Sequence, residues 1–285
     1  MKLPYALARR FVAGETLEAA LPTVRSLRAE GLFVSLDLLG EDVADRAQAE
    51  AYALEYVRIL RILASEQTDL PPNISIKLSM IGQRIDQRFC VEKLRHILDE
   101  ARELGGFVRL DMEGSDLRPV TLAMFEEVYP DYREHVGVVL QAYLHKTAQD
   151  VARMCELGAR VRLCKGAYKE PPEIAYQDMP TIREHFKREM AQLLTEGTYP
   201  GIATHDDELI AATKAFVKAN DISHDAFEFQ MLYGIRPETQ RDLVREGYNV
   251  RVYIPFGTEW GPYFTRRLRE RKENVWFVAK NLFRR

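Results

Sequence analysis

The residues best suited to chemistry lie near the end of the chain, in Tyr263-Phe264-Thr265-Arg266-Arg267-Leu268-Arg269-Glu270-Arg271. At helical spacing Tyr263, Arg266, Arg267 and Glu270 share one face, because residues three and four apart are neighbours. Arg269 falls on the other side. A ring, two adjacent guanidiniums and a carboxylate make a poor core stripe and a good anion clamp. Guanidiniums bind carboxylate or phosphate through a planar fork, and a neighbouring glutamate can hold that fork in place. A solvated face laced with Arg–Glu pairs is the plainer reading of a lone basic helix. The clamp reading requires a pocket beneath it.

The elements that would build such a pocket alternate along the whole chain. Thr16 caps a helical pattern (Leu17, Leu21, Val24, Leu27) that ends at Gly31, with Pro22 expected to kink or break it. Strand-like runs follow at 32–37, 74–79, 107–113, 136–144, 160–165, 201–205, 227–232 and 250–254. Helical patterns separate them at 45–65, 91–104, 121–129, 148–157, 181–194, 207–219 and 237–246. Eight strands alternating with helices favour an α/β fold of the (β/α)8 TIM-barrel type over an open doubly wound sheet. No G-x-G-x-x-G or G-x-x-x-x-G-K-S/T motif supports a Rossmann or P-loop alternative. No linker or composition break divides the chain, so residues 1–285 read as one barrel domain, with 1–31 as a short N-terminal helical segment.

Side chains alternate faces along a strand. Ser75, Lys77 and Ser79 therefore oppose Ile74, Ile76 and Leu78, and Arg109, Asp111 and Glu113 oppose Val108, Leu110 and Met112. Gln141, Arg162, Glu228 with Gln230, and Arg251 with Tyr253 repeat the pattern. The face toward the helices must be apolar, so the polar set should point into the barrel, its later members near the carboxyl ends where such barrels put their sites. Lys77, Arg109, Arg162 and Arg251 balance Asp37, Asp111, Glu113 and Glu228, so structural ion pairing is the plainer alternative. Arg109, Glu228 and Arg251 are expected to be structural.

The chain is 46% hydrophobic and 29% charged, enough for a large core and an ordinary charged surface. A net charge of −3 speaks against a nucleic-acid partner. Cys90, Cys155 and Cys164 are scattered, with no CxxC pair, which fits a reducing compartment and neither a disulfide framework nor a metal site. No apolar run approaches the roughly 20 residues of a membrane span, and no signal-peptide core follows Arg9 and Arg10. The expected location is cytoplasmic. The aromatic, basic stretch 275–285 suits either packing on the core or lying on the inner face of a membrane.

Six motifs then converge on one family. Ser75-Ile76-Lys77-Leu78-Ser79, Leu110-Asp111-Met112-Glu113-Gly114, Arg162-Leu163-Cys164-Lys165-Gly166-Ala167-Tyr168, Ala203-Thr204-His205, Phe227-Glu228-Phe229-Gln230 and the Tyr-x-x-Arg-Arg-x-x-Glu helix resemble proline dehydrogenase. Each is weak alone; together, in order at strand ends and on the final helix, they are specific. The resemblance implies a distorted (β/α)8 barrel whose last helix covers the carboxyl-end face. It implies non-covalent FAD, oxidation of L-proline to Δ1-pyrroline-5-carboxylate by hydride transfer to flavin N5, and electrons passed to a membrane quinone. Family members often carry more helices before the barrel than the segment here, which leaves the oligomeric state open.

The same resemblance assigns roles. Lys77, Arg266 and Arg267 would bind the substrate carboxylate, with Glu270 paired to an arginine of the clamp or to the substrate nitrogen. Asp111 would orient Lys77 and shape the pocket field, and Arg162 would stabilise anionic character on the reduced flavin. Tyr253 and Leu232 would wall the proline ring under Tyr168, with Tyr253 excluding a hydroxylated ring. Gln141 would bond the isoalloxazine edge, and Met112, Cys164, Lys165, Gly166, Thr204 and His205 would line the cofactor. Two other readings stay open. Lys77 or Lys165 at a strand end permits a Schiff-base aldolase, which needs a lysine of lowered pKa. A barrel that binds an amino acid or flavin without turnover is the other.

Overall fold

The polar and apolar alternation along the strands closes the sheet on itself. The structure, a computed structural model, describes residues 8–66, 70–261, 263 and 265. Its eight parallel strands are β1 (Phe33–Leu38), β2 (Asn73–Ile76), β3 (Phe107–Leu110), β4 (Val136–Gln141), β5 (Arg160–Cys164), β6 (Gly201–Ala203), β7 (Glu228–Leu232) and β8 (Val250–Phe256). They form a closed barrel in sequence order, β8 pairing back onto β1. Eight helices accompany them among the described residues: α1 (Leu17–Ala29), α2 (Arg46–Ser65), α3 (Gln87–Glu103), α4 (Arg118–Tyr132), α5 (Thr147–Leu157), α6 (Met179–Glu196), α7 (Asp207–Ala219) and α8 (Pro237–Arg245). The (β/α)8 expectation holds. The helix said to cover the barrel has only Trp260, Gly261, Tyr263 and Thr265 among the described residues.

Register explains the division of faces. Ser75 pairs with Asp37 on one side and Arg109 on the other. Arg109 then pairs with Gly137, Arg162 with Gly201, and Gln230 with Arg251. The polar set thus points inward, while Val34, Leu36, Ile76, Leu110, Leu163 and Val252 are buried under the helices. Two inward glycines make room for polar neighbours. A Cβ on Gly137 would stand 2.5 Å from both Arg109 Nη1 and the Arg160 carbonyl, and one on Gly201 would overlap Gln230 Nε2.

The lower barrel is structural, as expected. Arg251 donates to both Glu228 oxygens, at 2.7 and 2.9 Å. Arg109 breaks the four-to-four pairing: it donates to the carbonyls of Val138 at 3.2 Å and Arg160 at 2.5 Å instead of to a carboxylate. Glu113, its arithmetic partner, accepts from the Ser79 hydroxyl at 2.6 Å.

Pro22 neither breaks nor ends α1, which runs through it from its Thr16 cap. The missing amide removes one hydrogen bond, and Leu17, Ala20, Leu21 and Val24 remain packed on the core. The preceding segment lies on the carboxyl ends of β1, β7 and β8. Ala8, Phe11 and Val12 cluster with Leu39, Ile235 and Tyr263. Ala13 N–H donates to Pro255 O and Gly257 N–H to Gly14 O, both at 2.9 Å. Burying Phe11 alone contributes roughly 1.5–3 kcal/mol. No helix among the described residues is long and apolar enough to cross a membrane.

Several strands are shorter than their sequence pattern. β2 ends at Ile76, β3 at Leu110, β4 at Gln141 and β6 at Ala203, so Lys77, Asp111, Met112, Thr204 and His205 stand just beyond the ladder. The backbone stays extended for a residue or more: Lys77 has φ −106° and ψ 126°, and Asp111 N–H still reaches Ile76 O at 2.9 Å. Alternation therefore persists after sheet pairing stops.

Candidate functional site

The carboxyl-end positions converge at one end of the barrel. Lys77 follows β2 and is 5% exposed, with Nζ 2.7 Å from Asp37 Oδ1 of β1. Burial opposes its charge, but the carboxylates of Asp37, Asp111 and Glu113 outweigh that and raise its pKa. A raised pKa disfavours the Schiff-base reading, which requires a neutral nucleophilic amine. The orienting partner expected from the resemblance was Asp111. Asp111 is otherwise engaged: Oδ1 accepts from Arg162 Nη1 and Oδ2 from the Tyr253 hydroxyl, both at 2.7 Å. Asp37 holds the lysine instead. Nearby Asp111 still adds to the field that keeps Lys77 charged.

Arg162 is held from three strands. Besides Asp111, it donates from Nε to Gln230 Oε1 and from Nη2 to Ser75 Oγ at 3.0 Å. Its guanidinium stands 5.2 Å from the centre of the Tyr253 ring. Tyr253 stays a phenol: enclosure in the barrel, then the Asp111 and Asp37 charges, push its pKa well above the ordinary value. It therefore serves as a donor to Asp111.

Gln141 ends β4 opposite Cys164 of β5. Its Nε2 donates to Met112 O at 3.2 Å, while Oε1 is buried without a hydrogen-bond partner among the described residues. An orphaned buried acceptor costs about 1–3 kcal/mol. An arginine has five N–H donors, of which the bonds above engage three of Arg162's. An unmet acceptor beside a guanidinium with N–H groups to spare suits a planar heterocycle that offers both an N–H and carbonyls. These residues fit an isoalloxazine edge.

The remaining predicted lining follows the ends of β5 and β6. Lys165 Nζ contacts Asp206 Oδ2 at 2.9 Å, which Arg183 also reaches at 2.9 Å. Burial pushes the Asp206 carboxyl up, but the two cations hold it below its ordinary range. Gly166 has φ +124°, and a side chain there would run into the Tyr143 ring. Tyr168 lies in the same loop, half-buried. Thr204 is buried, its Oγ1 accepting from Asp206 N–H at 3.1 Å. His205 Nε2 accepts from the Leu232 N–H at 2.8 Å, and its carbonyl accepts from Arg236 at 2.7 Å. That bond makes Nε2 the unprotonated nitrogen and ties the β6 end to Leu232.

Arg266, Arg267 and Glu270 lie outside the described residues. One cavity lies beside Lys77, between the segment after β1 and α2. It measures about 470 Å³ and is lined by Lys77, Leu39, Glu41, Tyr52, Glu259 and Tyr263, among others. A hollow of about 610 Å³ between Lys214, His224 and Tyr248 lies at the opposite, amino-terminal end, away from these groups. No group of three or more His, Cys, Asp or Glu residues suited to a metal ion occurs among the described residues.

Sequence reasoning missed the holders of the site. Asp37 was counted only as balancing charge, Ser75 and Gln230 only as inward residues, and Asp206 not at all. Asp37 and Gln230 carried a signal, their parity with Ser35 and Glu228. Asp206 carried another, as the acidic cap of α7 directly after the Thr204-His205 pair.

Comparison with known proteins agrees with the barrel and identifies its family. The family model described as proline dehydrogenase matches residues 20–280. Proline dehydrogenase of Deinococcus radiodurans is 41% identical over 282 residues, which is 98% of this chain and 90% of the relative. Proline dehydrogenase 1 of Bacillus subtilis is 41% identical over 278 residues, covering 98% and 91%. The crystal structure of proline utilization A (PutA) from Bdellovibrio bacteriovorus, inactivated by N-propargylglycine, matches with a TM-score of 0.86 and 26% identity. That match covers 92% of this chain and 32% of the larger one, so this chain spans about a third of that protein. By its sequence, its barrel and the groups gathered at the barrel's carboxyl end, the chain belongs to the proline dehydrogenase family.

Proposed function

We propose that the chain oxidises L-proline to Δ1-pyrroline-5-carboxylate as the first step of proline catabolism to glutamate, with residues 1–285 acting as one catalytic barrel. Bound non-covalently, FAD would accept a hydride at N5 from the ring carbon next to the substrate nitrogen, and its electrons would pass to a membrane quinone. The observation that carries the reading is the pairing of a charged Lys77, held by Asp37, with the Arg162–Asp111–Tyr253 cluster beside the unmet Gln141 acceptor.

The chain's own groups divide the work. Lys77 supplies a fixed positive charge for the substrate carboxylate, joined by Arg266 and Arg267, with Glu270 steadying an arginine or meeting the substrate nitrogen. A desolvated guanidinium–carboxylate pair is worth about 2–5 kcal/mol of binding when one partner is removed. Hydride loss requires a neutral substrate amine, so the site's task is positioning more than acid–base chemistry. Tyr253 and Leu232 wall the ring, Tyr168 packs over it, and Asp111 fixes the Tyr253 ring through the hydroxyl. Arg162 would hold the flavin's pyrimidine side, where a preorganised cation would favour the charge that develops on reduction. Gln141 would meet the flavin edge, and Met112, Cys164, Lys165, Gly166, Thr204 and His205 would line the cofactor. The stretch 275–285 is the candidate for contact with the membrane that holds the quinone.

The test is a visible absorption spectrum of the purified protein before and after anaerobic addition of L-proline. A yellow protein that bleaches supports the reading. A colourless protein that remains inactive after incubation with FAD overturns the flavin assignment. A yellow protein that does not bleach overturns the substrate.

A further inference from the structure

We infer that Gln230 is a positioning residue that sets the plane of the Arg162 guanidinium, and that a stack of buried groups beneath it fixes the orientation of its amide. The inference rests on the reading of Arg162 as the cation beside the flavin.

Gln230 is 4% exposed and points into the barrel from β7. Its Oε1 accepts from Arg162 Nε, and its Nε2 donates to Glu228 Oε1 at 2.5 Å. An arginine only donates, so it pairs with the oxygen end of the glutamine amide. An ionised carboxylate accepts only, so Glu228 takes the NH₂ end and leaves the oxygen for Arg162. Glu228 is in turn gripped at both oxygens by Arg251, at 2.7 and 2.9 Å, and touched by the Tyr199 hydroxyl at 3.3 Å. Arg251, Glu228, Gln230, Arg162 and Asp111 are therefore joined inside the barrel as one chain of hydrogen bonds in which every donor meets an acceptor. Gly201 supports the same point from the wall: any side chain there would overlap Gln230 Nε2. That space is kept for the amide.

The Nε bond has a role that the other two do not share. Asp111 and Ser75 hold the terminal nitrogens, Nη1 and Nη2. Asp111 also faces the pocket through Tyr253. Gln230 holds the inner nitrogen from the side away from that pocket, so it resists rotation of the fork without touching substrate. Losing it would leave Nε buried and unmet and let the fork turn toward other acceptors.

The experiment uses the FAD-loaded protein and reads the midpoint potential of the flavin alongside kcat and KM. Gln230→Leu should weaken the preference for reduced flavin about tenfold, which lowers the two-electron potential by about 30 mV. The kcat for proline should fall about tenfold with KM within about threefold, since the carboxylate site is intact. In an Arg162→Gln background, adding Gln230→Leu should shift the potential no further. An unmoved potential in Gln230→Leu, with a shift in Arg162→Gln, overturns the inference and leaves the reading of Arg162 standing. No shift in either variant overturns both. An equal shift in both backgrounds shows Gln230 acting directly, and also overturns the inference. Should Gln230→Leu fail to fold or to hold FAD, Gly201→Ala keeps the glutamine and displaces its amide. It carries the same expectation, and an unmoved potential in that variant overturns the inference equally.

Discussion

Removing the charge of Asp37 is the sharpest test of how the site is built. Asp37 and Lys77 are 1% and 5% exposed, in contact at 2.7 Å, on neighbouring strands of a closed barrel. Asp37→Asn leaves the shape and removes the charge nearest a buried ammonium. Breaking a buried pair from one side costs about 3–5 kcal/mol, because the remaining ion is uncompensated. Asp111 and Glu113 stay nearby and act on Lys77, which puts the expected loss at the lower end. Unfolding entropy near 2.1 cal/mol/K per residue over 285 residues makes each degree of Tm worth roughly 0.6 kcal/mol. The expected drop is therefore about 5 °C, measured by thermal denaturation with saturating FAD in both proteins.

The pH dependence has a definite sign. Lys77 has a raised pKa in the folded chain, so its contribution is fully present below its ordinary value of 10.5 and is lost as pH rises through the folded value. Burial raises the Asp37 carboxyl against the pull of Lys77. A carboxyl raised in the folded chain gains stability when it takes up its proton, so acidification costs the wild type nothing relative to Asp37→Asn. The gap should be flat through neutral pH and narrow at the alkaline end, as Lys77 loses its charge. The double variant Asp37→Asn, Lys77→Met should be more stable than Asp37→Asn alone, since no buried ion is left unpaired. A single variant within about 1 °C of wild type, or a double variant less stable than the single, would refute the account of Lys77 as a charge held in place by Asp37.

Two further outcomes test the pocket. Arg266→Met or Arg267→Met should raise KM for proline by about 30-fold or more, matching a loss of about 2–5 kcal/mol, while the flavin absorbance of the purified protein is unchanged. Loss of FAD with KM unaltered would remove both residues from the substrate site. Tyr253→Ser should lower the ratio of kcat/KM for proline over hydroxyproline by about tenfold, the scale of one steric contact in a pocket wall. An unaltered ratio would take Tyr253 out of the wall and leave it only as the donor to Asp111.

Much of the barrel was legible in the chain because strand parity is a local property. Lys77, Asp111 and Arg162 could each be assigned to the inner face from their immediate neighbours, since apolar residues on either side must face the helices. The limits of the strands were not legible. Lys77 and Asp111 continue the alternation for one residue after pairing ends, and nothing in a sequence distinguishes an extended residue in a ladder from one just outside it. Pro22 misled for a related reason: its cost to a helix is fixed, but the packing of Leu17, Leu21 and Val24 that offsets the cost belongs to the folded chain.

What the amino-acid order determined by itself is therefore which side chains enter the barrel, and the approximate level of each. Which charge meets which was decided only when the sheet closed. Lys77 and Asp37 are 40 residues apart in the chain, and Arg162 meets Ser75 across 87. Four cations and four carboxylates allow many pairings, and composition favours none of them. Closure brings β8 against β1, so that Tyr253 and Arg162 occupy both oxygens of Asp111 while Lys77 meets Asp37. It also sets Gly137 against Arg109 and Gly201 against Gln230, where a side chain would collide. Partner choice among buried charges depends on distances of a few ångströms across the barrel, and only the register of all eight strands sets those distances.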